Sequence, residues 1–151
     1  MKRGFTLLEL LIVLTLMSVI AVLILPPFMD FRSRQLLDSQ SDLISAVLYQ
    51  ARAHTLASKN NLVYGVHFET DELTLFSGDS FNAEAEDNQV IDLDSAVTLA
   101  NISLIPDPND IIFERLTGEA SSSGFVRLEL TNDSTQFKVI NINQNGIIEI
   151  E

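Results

Sequence analysis

The sequence predicts an α+β protein in which one long N-terminal helix, transmembrane in its first half and amphipathic in its second, packs on an antiparallel β-sheet domain. Three observations carry this expectation. Residues Phe5 to Leu25 form an apolar run in which Glu9 is the only charged side chain. From Phe31 to Leu56, apolar residues recur at helical spacing between polar ones. After Leu62 the hydrophobic period changes to two, in short runs separated by turn residues.

The apolar run comes first in the chain and in the argument. Between Leu10 and Leu25 nothing is more polar than Thr15 and Ser18. A helix of roughly 21 residues covers about 30 Å, the thickness of a hydrocarbon core. Lys2 and Arg3 precede the run, and Asp30 is the first acid after it. The bias of basic residues toward the cytoplasm therefore places the N-terminus inside, and residues after about Phe31 outside, as in a single-pass inner-membrane protein. A cleaved secretory signal would have a shorter apolar core followed by a small-residue site, whereas this run continues into Leu25-Pro26-Pro27-Phe28-Met29-Asp30. A plain anchor fits the length but gives Glu9 no role. A carboxylate at the bilayer centre costs about 2.5–3.5 kcal/mol, and acids within spans tend to be functional. Near the cytoplasmic end the cost is smaller, and snorkelling to the interface is the simple alternative.

Beyond the run, Phe31, Leu36, Leu37, Leu43, Ile44, Val47, Leu48, Ala51 and Leu56 define one face of an amphipathic helix. Pro26 and Pro27 interrupt the backbone hydrogen bonding between the two halves. They predict a kink rather than a stop, because the helical pattern resumes at once. The whole helix would hold roughly 50 residues, about 80 Å if nearly continuous. Ser58-Lys59-Asn60-Asn61 ends it. Leu62–Phe68 and Leu73–Phe76 flank Thr70-Asp71-Glu72 as a hairpin. Val90–Leu93, Val97–Leu104 and Ile111–Phe113 read as further strands. Phe125–Thr131 and Gln136–Ile142 surround a turn at Asn132-Asp133-Ser134, and Asn145-Gly146 turns the chain into a last strand, Ile147–Ile150. The expected divisions are residues 1–4, a leader; 5–31, the membrane half of the helix; 32–61, its amphipathic half; and 62–151, a β-rich head.

Charge and composition limit what the head can do. The formal charge of the 151-residue chain is −12, and beyond Leu62 only Arg115, Arg127 and Lys138 are basic. So acidic a surface repels phosphate backbones, and no nucleic-acid partner is expected. Cysteine is absent, which excludes a disulfide-stapled fold. His54 and His67 are the only histidines, with no metal or catalytic spacing around them. Asp79, Glu84, Glu86, Asp87, Asp92 and Asp94 form an acid-rich stretch. It reads as a solvated loop, with calcium binding as the alternative, although the spacing does not match an EF-hand. Ser121-Ser122-Ser123-Gly124 lacks a base and reads as a loop before a strand. No enzyme and no cofactor is expected.

Gly4-Phe5-Thr6-Leu7-Leu8-Glu9-Leu10 resembles the processing motif of type IV prepilins and of the pseudopilins of type II secretion. The resemblance implies cleavage after Gly4 by a prepilin peptidase, N-methylation of Phe5, and a role for Glu9 in assembly register. It also extends to Pro26, which matches a proline that many pilins carry at the kink. Leu48 to Asn60, followed by the strand Val63–Phe68, resembles the A-R-x-x-A helix end and next strand of H-type minor pseudopilins and FimT-like minor pilins. Phe113 to Gly118, then a strand, a hairpin and the closing Asn-Gly-Ile-Ile, is similar to that group's ending. Some FimT-like members bind DNA through a basic C-terminal surface. This chain is acidic there, so that activity does not carry over. The implied partners are the peptidase, other pilins in a filament, and an assembly platform with its ATPase. The fold implied is the pilin fold, and the implied function is that of a minor pilin or pseudopilin subunit. A membrane-anchored module binding a secreted substrate or adhesive target is the alternative.

Overall fold

The computed structural model of the chain describes residues 5–151, apart from the side chains of residues 23–30 within the first helix. That helix, α1, runs Leu7–Leu56 as one element of 50 residues. The chain divides into two compact units, Met1–Gln35 and Leu36–Glu151, so α1 contributes to both. Helical backbone passes through Pro26 and Pro27 without a break in the element. The expected kink at Pro26 falls on side chains outside those described.

In the second unit, a stripe of α1 faces the core. Leu37, Ile44, Val47, Leu48 and Ala51 are buried, and Leu36 and Leu43 pack at the margin. Ser41 and Ser45 are buried on the same stripe, where small side chains bring the helix backbone close to its cover. Two members of the predicted apolar face are not in the core: Phe31 is exposed and lies in the first unit, and Leu56 is exposed at the last turn. Residues Lys59–Asn61 then make a short 3₁₀ turn, with Ser58, Asn60 and Asn61 all at positive φ, which reverses the chain into the first strand.

Eight strands follow: β1 (Tyr64–Phe68), β2 (Glu72–Ser77), β3 (Gln89–Asp92), β4 (Val97–Ile105), β5 (Asp110–Ile112), β6 (Ser123–Leu130), β7 (Asp133–Ile142) and β8 (Ile148–Ile150). They form two four-stranded antiparallel sheets, ordered β3-β2-β1-β5 and β4-β6-β7-β8. Both predicted hairpins are present, β1–β2 and β6–β7. The division into two sheets was not legible in the period-two runs, because alternation reports burial and not neighbours. The chain leaves the first sheet after β3 and returns to it only with β5, so each sheet depends on distant pairings. The sheets are tied where Leu99 N–H, on β4, donates to Thr70 O in the β1–β2 turn at 2.9 Å.

One apolar core serves both sheets. Val66, Phe68, Leu73, Leu75, Ile111 and Phe113 from the first meet Leu99, Val126, Leu128, Ile140 and Ile142 from the second against the α1 stripe. Burying a side chain of this size is worth about 1.5–3 kcal/mol. The far side of the first sheet has its own cover: Phe81 stacks on His67 at 3.9 Å between centroids and meets the buried Phe76 edge-on.

Candidate assembly segment and the helix–sheet junction

The segment Phe5 to Val22 carries the candidate processing and assembly residues. Met1, Lys2, Arg3 and Gly4, including the expected cleavage site, lie outside the described residues. Thr6 sits just before α1, and its Oγ1 accepts a hydrogen bond from Glu9 N–H at 3.2 Å, while Leu10 N–H donates to Thr6 O at 3.2 Å. This is the N-cap half of a capping box, Thr6-x-x-Glu9, which satisfies one of the four N–H groups left open at a helix start. The capping role of Thr6 was missed, although Thr followed three residues later by Glu before an apolar run is a sequence-level signal. The cap places Glu9 in the first turn, at the positive end of the helix dipole.

Every side chain from Phe5 to Val22 is exposed on the single chain, Phe5 at 83% and Leu7 at 78%. The other polar groups of this run satisfy themselves. Thr15 Oγ1 donates to Ile12 O at 2.9 Å, and Ser18 Oγ donates to Leu14 O at 2.8 Å. In lipid or in a dry protein interior these two residues therefore need nothing further. Glu9 differs: among the described residues its carboxylate has no partner. Also among the described residues, no helix is long and apolar enough to cross a membrane. The apolar turns with described side chains, Leu7 to Val22, amount to about 24 Å of rise.

The later motifs meet at the C-terminal end of α1. Arg52 Nε donates to Gly118 O at 2.9 Å, and Arg52 Nη2 donates to Asn145 O at 3.5 Å. Gly118 and Gly146 both have positive φ. A Cβ on Gly146 would lie 2.2 Å from Gly118 O and 2.7 Å from Arg52 Nε, so glycine is required for space as well as for conformation. Residues 52, 118 and 146 are far apart in the chain, and the arginine clamps both loops to the helix. Thr55, last in the Ala51-Arg52-Ala53-His54-Thr55 stretch, is fully buried; its hydroxyl accepts from Tyr64 N–H at 2.8 Å and donates to Ala51 O at 3.1 Å. Tyr49 and Lys138 add ties to the second sheet, through Ile148 O at 3.2 Å and Asp38 Oδ1 at 3.1 Å.

The remaining candidates fall into structural settings. His67 Nδ1 lies 2.5 Å from Asp110 Oδ1, linking β1 to β5, with Glu69 at 3.6 Å. His54 packs edge-on against Tyr64 and receives Lys59 Nζ at 3.5 Å; burial first, and the Lys59 charge second, hold its imidazole below the ordinary value. Of the acid-rich stretch, Asp87 accepts from the Ser77 hydroxyl and Asp94 caps the next turn through Ala96 N–H. Among the described residues, no group of three or more acids and histidines is arranged to hold a metal ion. The Ser121 hydroxyl accepts from Ile112 N–H of β5 at 3.0 Å, and the Ser122 hydroxyl accepts from Asp107 N–H in the loop before it at 3.4 Å.

Comparison with known proteins agrees at both ends of this description. Residues 1–25 match the family model described as the prokaryotic N-terminal methylation motif. The fold matches the crystal structure of the type IV minor pilin FimU from Pseudomonas aeruginosa with a TM-score of 0.58 and 16% identity, covering 76% of this chain and 92% of that one. The chain joins a prepilin-type N-terminus to a pilin fold. No curated protein sequence matches it. The α+β architecture, a long N-terminal helix packed on antiparallel sheets, is that of the minor pilin.

Proposed function

We propose that this chain is a minor pilin or pseudopilin subunit, built into a type IV pilus or a type II secretion pseudopilus and without catalytic activity of its own. The prepilin motif supports the reading most directly, because it accounts for Glu9, the one polar side chain in the apolar run that nothing else in the described chain satisfies. A peptidase cutting after Gly4 frees the amine of Phe5, which is then methylated. Residues 1–4 are the leader, 5–31 the membrane half of the helix, 32–61 its amphipathic half and 62–151 the head. The N-terminus is cytoplasmic and the head extracytoplasmic. Leu23, Ile24 and Leu25 extend the apolar sequence to the length of a span, and Pro26 is the kink. Partners are the prepilin peptidase, the assembly platform with its ATPase, and other pilins. The Arg52, Gly118 and Gly146 junction supports the H-type, FimT-like subclass.

Charge decides how Glu9 acts. In the apolar core of a filament an unpaired carboxylate is expensive, and the cationic Phe5 amine of a neighbouring subunit offsets that cost. The pair sets axial register more than it adds stability. Mass spectrometry of the native N-terminus should find N-methyl-Phe5; an intact Met1, or a cut beyond Leu25, sinks the proposal. Glu9→Ala should insert normally in the membrane and fail to enter filaments. Incorporation at the parent level would remove the role given to Glu9.

A further inference from the structure

The head is unevenly charged along α1. All four non-glycine residues with positive φ in the described chain, Ser58, Asn60, Asn61 and Leu116, lie at one corner, beyond the last turn of α1. The corner is braced: Arg115 donates to Asn61 O at 3.3 Å and to Asn61 Oδ1 at 2.7 Å, and Arg52 holds Gly118. Leu116 stands at the tip of this braced loop, 93% exposed and left-handed, a conformation that leucine rarely adopts. Leu56 and Leu62 are exposed nearby in the chain. Five cations belong to this unit. Arg127 and Lys138 are paired with Glu129 and Asp38, whereas Arg52, Lys59 and Arg115, all at the corner, have no carboxylate within ion-pair distance among the described residues. Asp87, Glu114 and Glu119 are in the same region, and none of them closes on these cations.

The opposite end has the reverse imbalance. Glu69, Asp71 and Glu72 form the β1–β2 turn, Asp92 lies opposite Glu72 on β3, and Asp94 N–H bonds to Gln40 Oε1. Gln40 and Leu56 are about 24 Å apart along α1. No lysine or arginine pairs with these acids among the described residues. Desolvation, and then repulsion from Glu69, Asp71 and Asp92, raises the Glu72 carboxyl above its ordinary range.

We propose that the corner formed by Lys59–Asn61 and the Leu116 loop docks onto the acidic β1–β2 end of a second copy of this chain. Lys59 and Arg115 face carboxylates short of cations, and Leu116 loses its exposure. Because the two surfaces differ, the contact is heterologous, so each copy keeps one free surface of each kind with which to take a further copy. It rests on the reading that copies are gathered in one membrane or filament, and is separable from it by test.

The chain has no cysteine, so introduced thiols report one contact only. Leu116→Cys and Asp92→Cys are both at exposed positions. They cannot join within one chain: Asp92 is on one edge strand of the first sheet, Leu116 follows the other edge strand, and three strand spacings of about 4.8 Å separate those edges, against the roughly 4.4–6.8 Å between Cα atoms that a disulfide needs. Full-length chains carrying one thiol each, co-expressed and oxidised in membranes, should give a 116–92 dimer several-fold above a Leu116→Cys and Thr135→Cys control. The double variant should give a ladder. Lys59→Glu should lower the yield several-fold, as should raising salt. A predominant 116–116 product, or no 116–92 product above the control, overturns the inference. The mass of the N-terminus, read on the same sample, reports separately on processing.

Discussion

The two halves of α1 share a backbone and little else. From Leu7 to Val22 all the side chains are exposed, and the hydroxyls of Thr15 and Ser18 turn back on their own helix. From Leu37 to Thr55 a stripe is buried to near zero, and the polar residues reach outward: Tyr49 to Ile148, Arg52 to Gly118 and Asn145, Thr55 to Tyr64. Helicity therefore does not reveal what a helix is for; the location of its cover does. The C-terminal half finds cover in its own unit. The N-terminal half brings none of its own in the described chain, as expected of a segment whose solvent is lipid or neighbouring subunits.

The contrast can be broken most sharply by one pair of truncations. Leu48→Ala, in the buried stripe, should lower head stability by about 2–5 kcal/mol. Leu14→Ala, exposed at 53%, should leave it unchanged. Denaturant unfolding of the full chain in detergent, followed by near-ultraviolet dichroism, distinguishes them. Equal effects would mean that the halves are not energetically separate.

A smaller effect is expected at the helix start. Thr6→Ala removes the acceptor for Glu9 N–H and should cost about 0.5–2 kcal/mol of local stability. Faster amide exchange at Leu8 to Leu10, with head unfolding unaltered, is the expected result. Transmission of the loss to the head would contradict the division at Gln35 and Leu36.

The smallest effect concerns the turn into β7. Hydrogen bonds from Thr135 and Gln136 hold the Asp133 carboxyl below its ordinary value of 3.8. Its folded value is depressed, so the stability it contributes is present above pH 3.8 and is lost as pH falls through the folded value. Asp133→Ala should thus lower the melting temperature slightly at pH 6, with the difference closing as pH falls below 3.8. A pH-independent difference would assign the effect to turn geometry alone.

Much of this was legible in the order of residues. Glu9 alone in an apolar run, the core stripe Leu37, Ile44, Val47, Leu48 and Ala51, and the hairpins around Thr70–Glu72 and Asn132–Ser134 follow from charge, period and turn chemistry, each a local property. The capping box at Thr6 was equally local, and its signal was in plain view. Phe31 and Leu56 fit the helical period but are exposed, because period gives a face and not the extent of what covers it. Tertiary structure alone decided that the strands form two sheets and that Arg52 clamps Gly118 and Asn145. It alone also gathered four left-handed residues, with Leu116 among them, at one corner. Those facts depend on contacts between distant segments, such as Arg52 with Gly118 and Asn145, which are 66 and 93 residues away. Local patterning carries no record of such pairings, since packing chooses among many partners that alternation leaves equivalent.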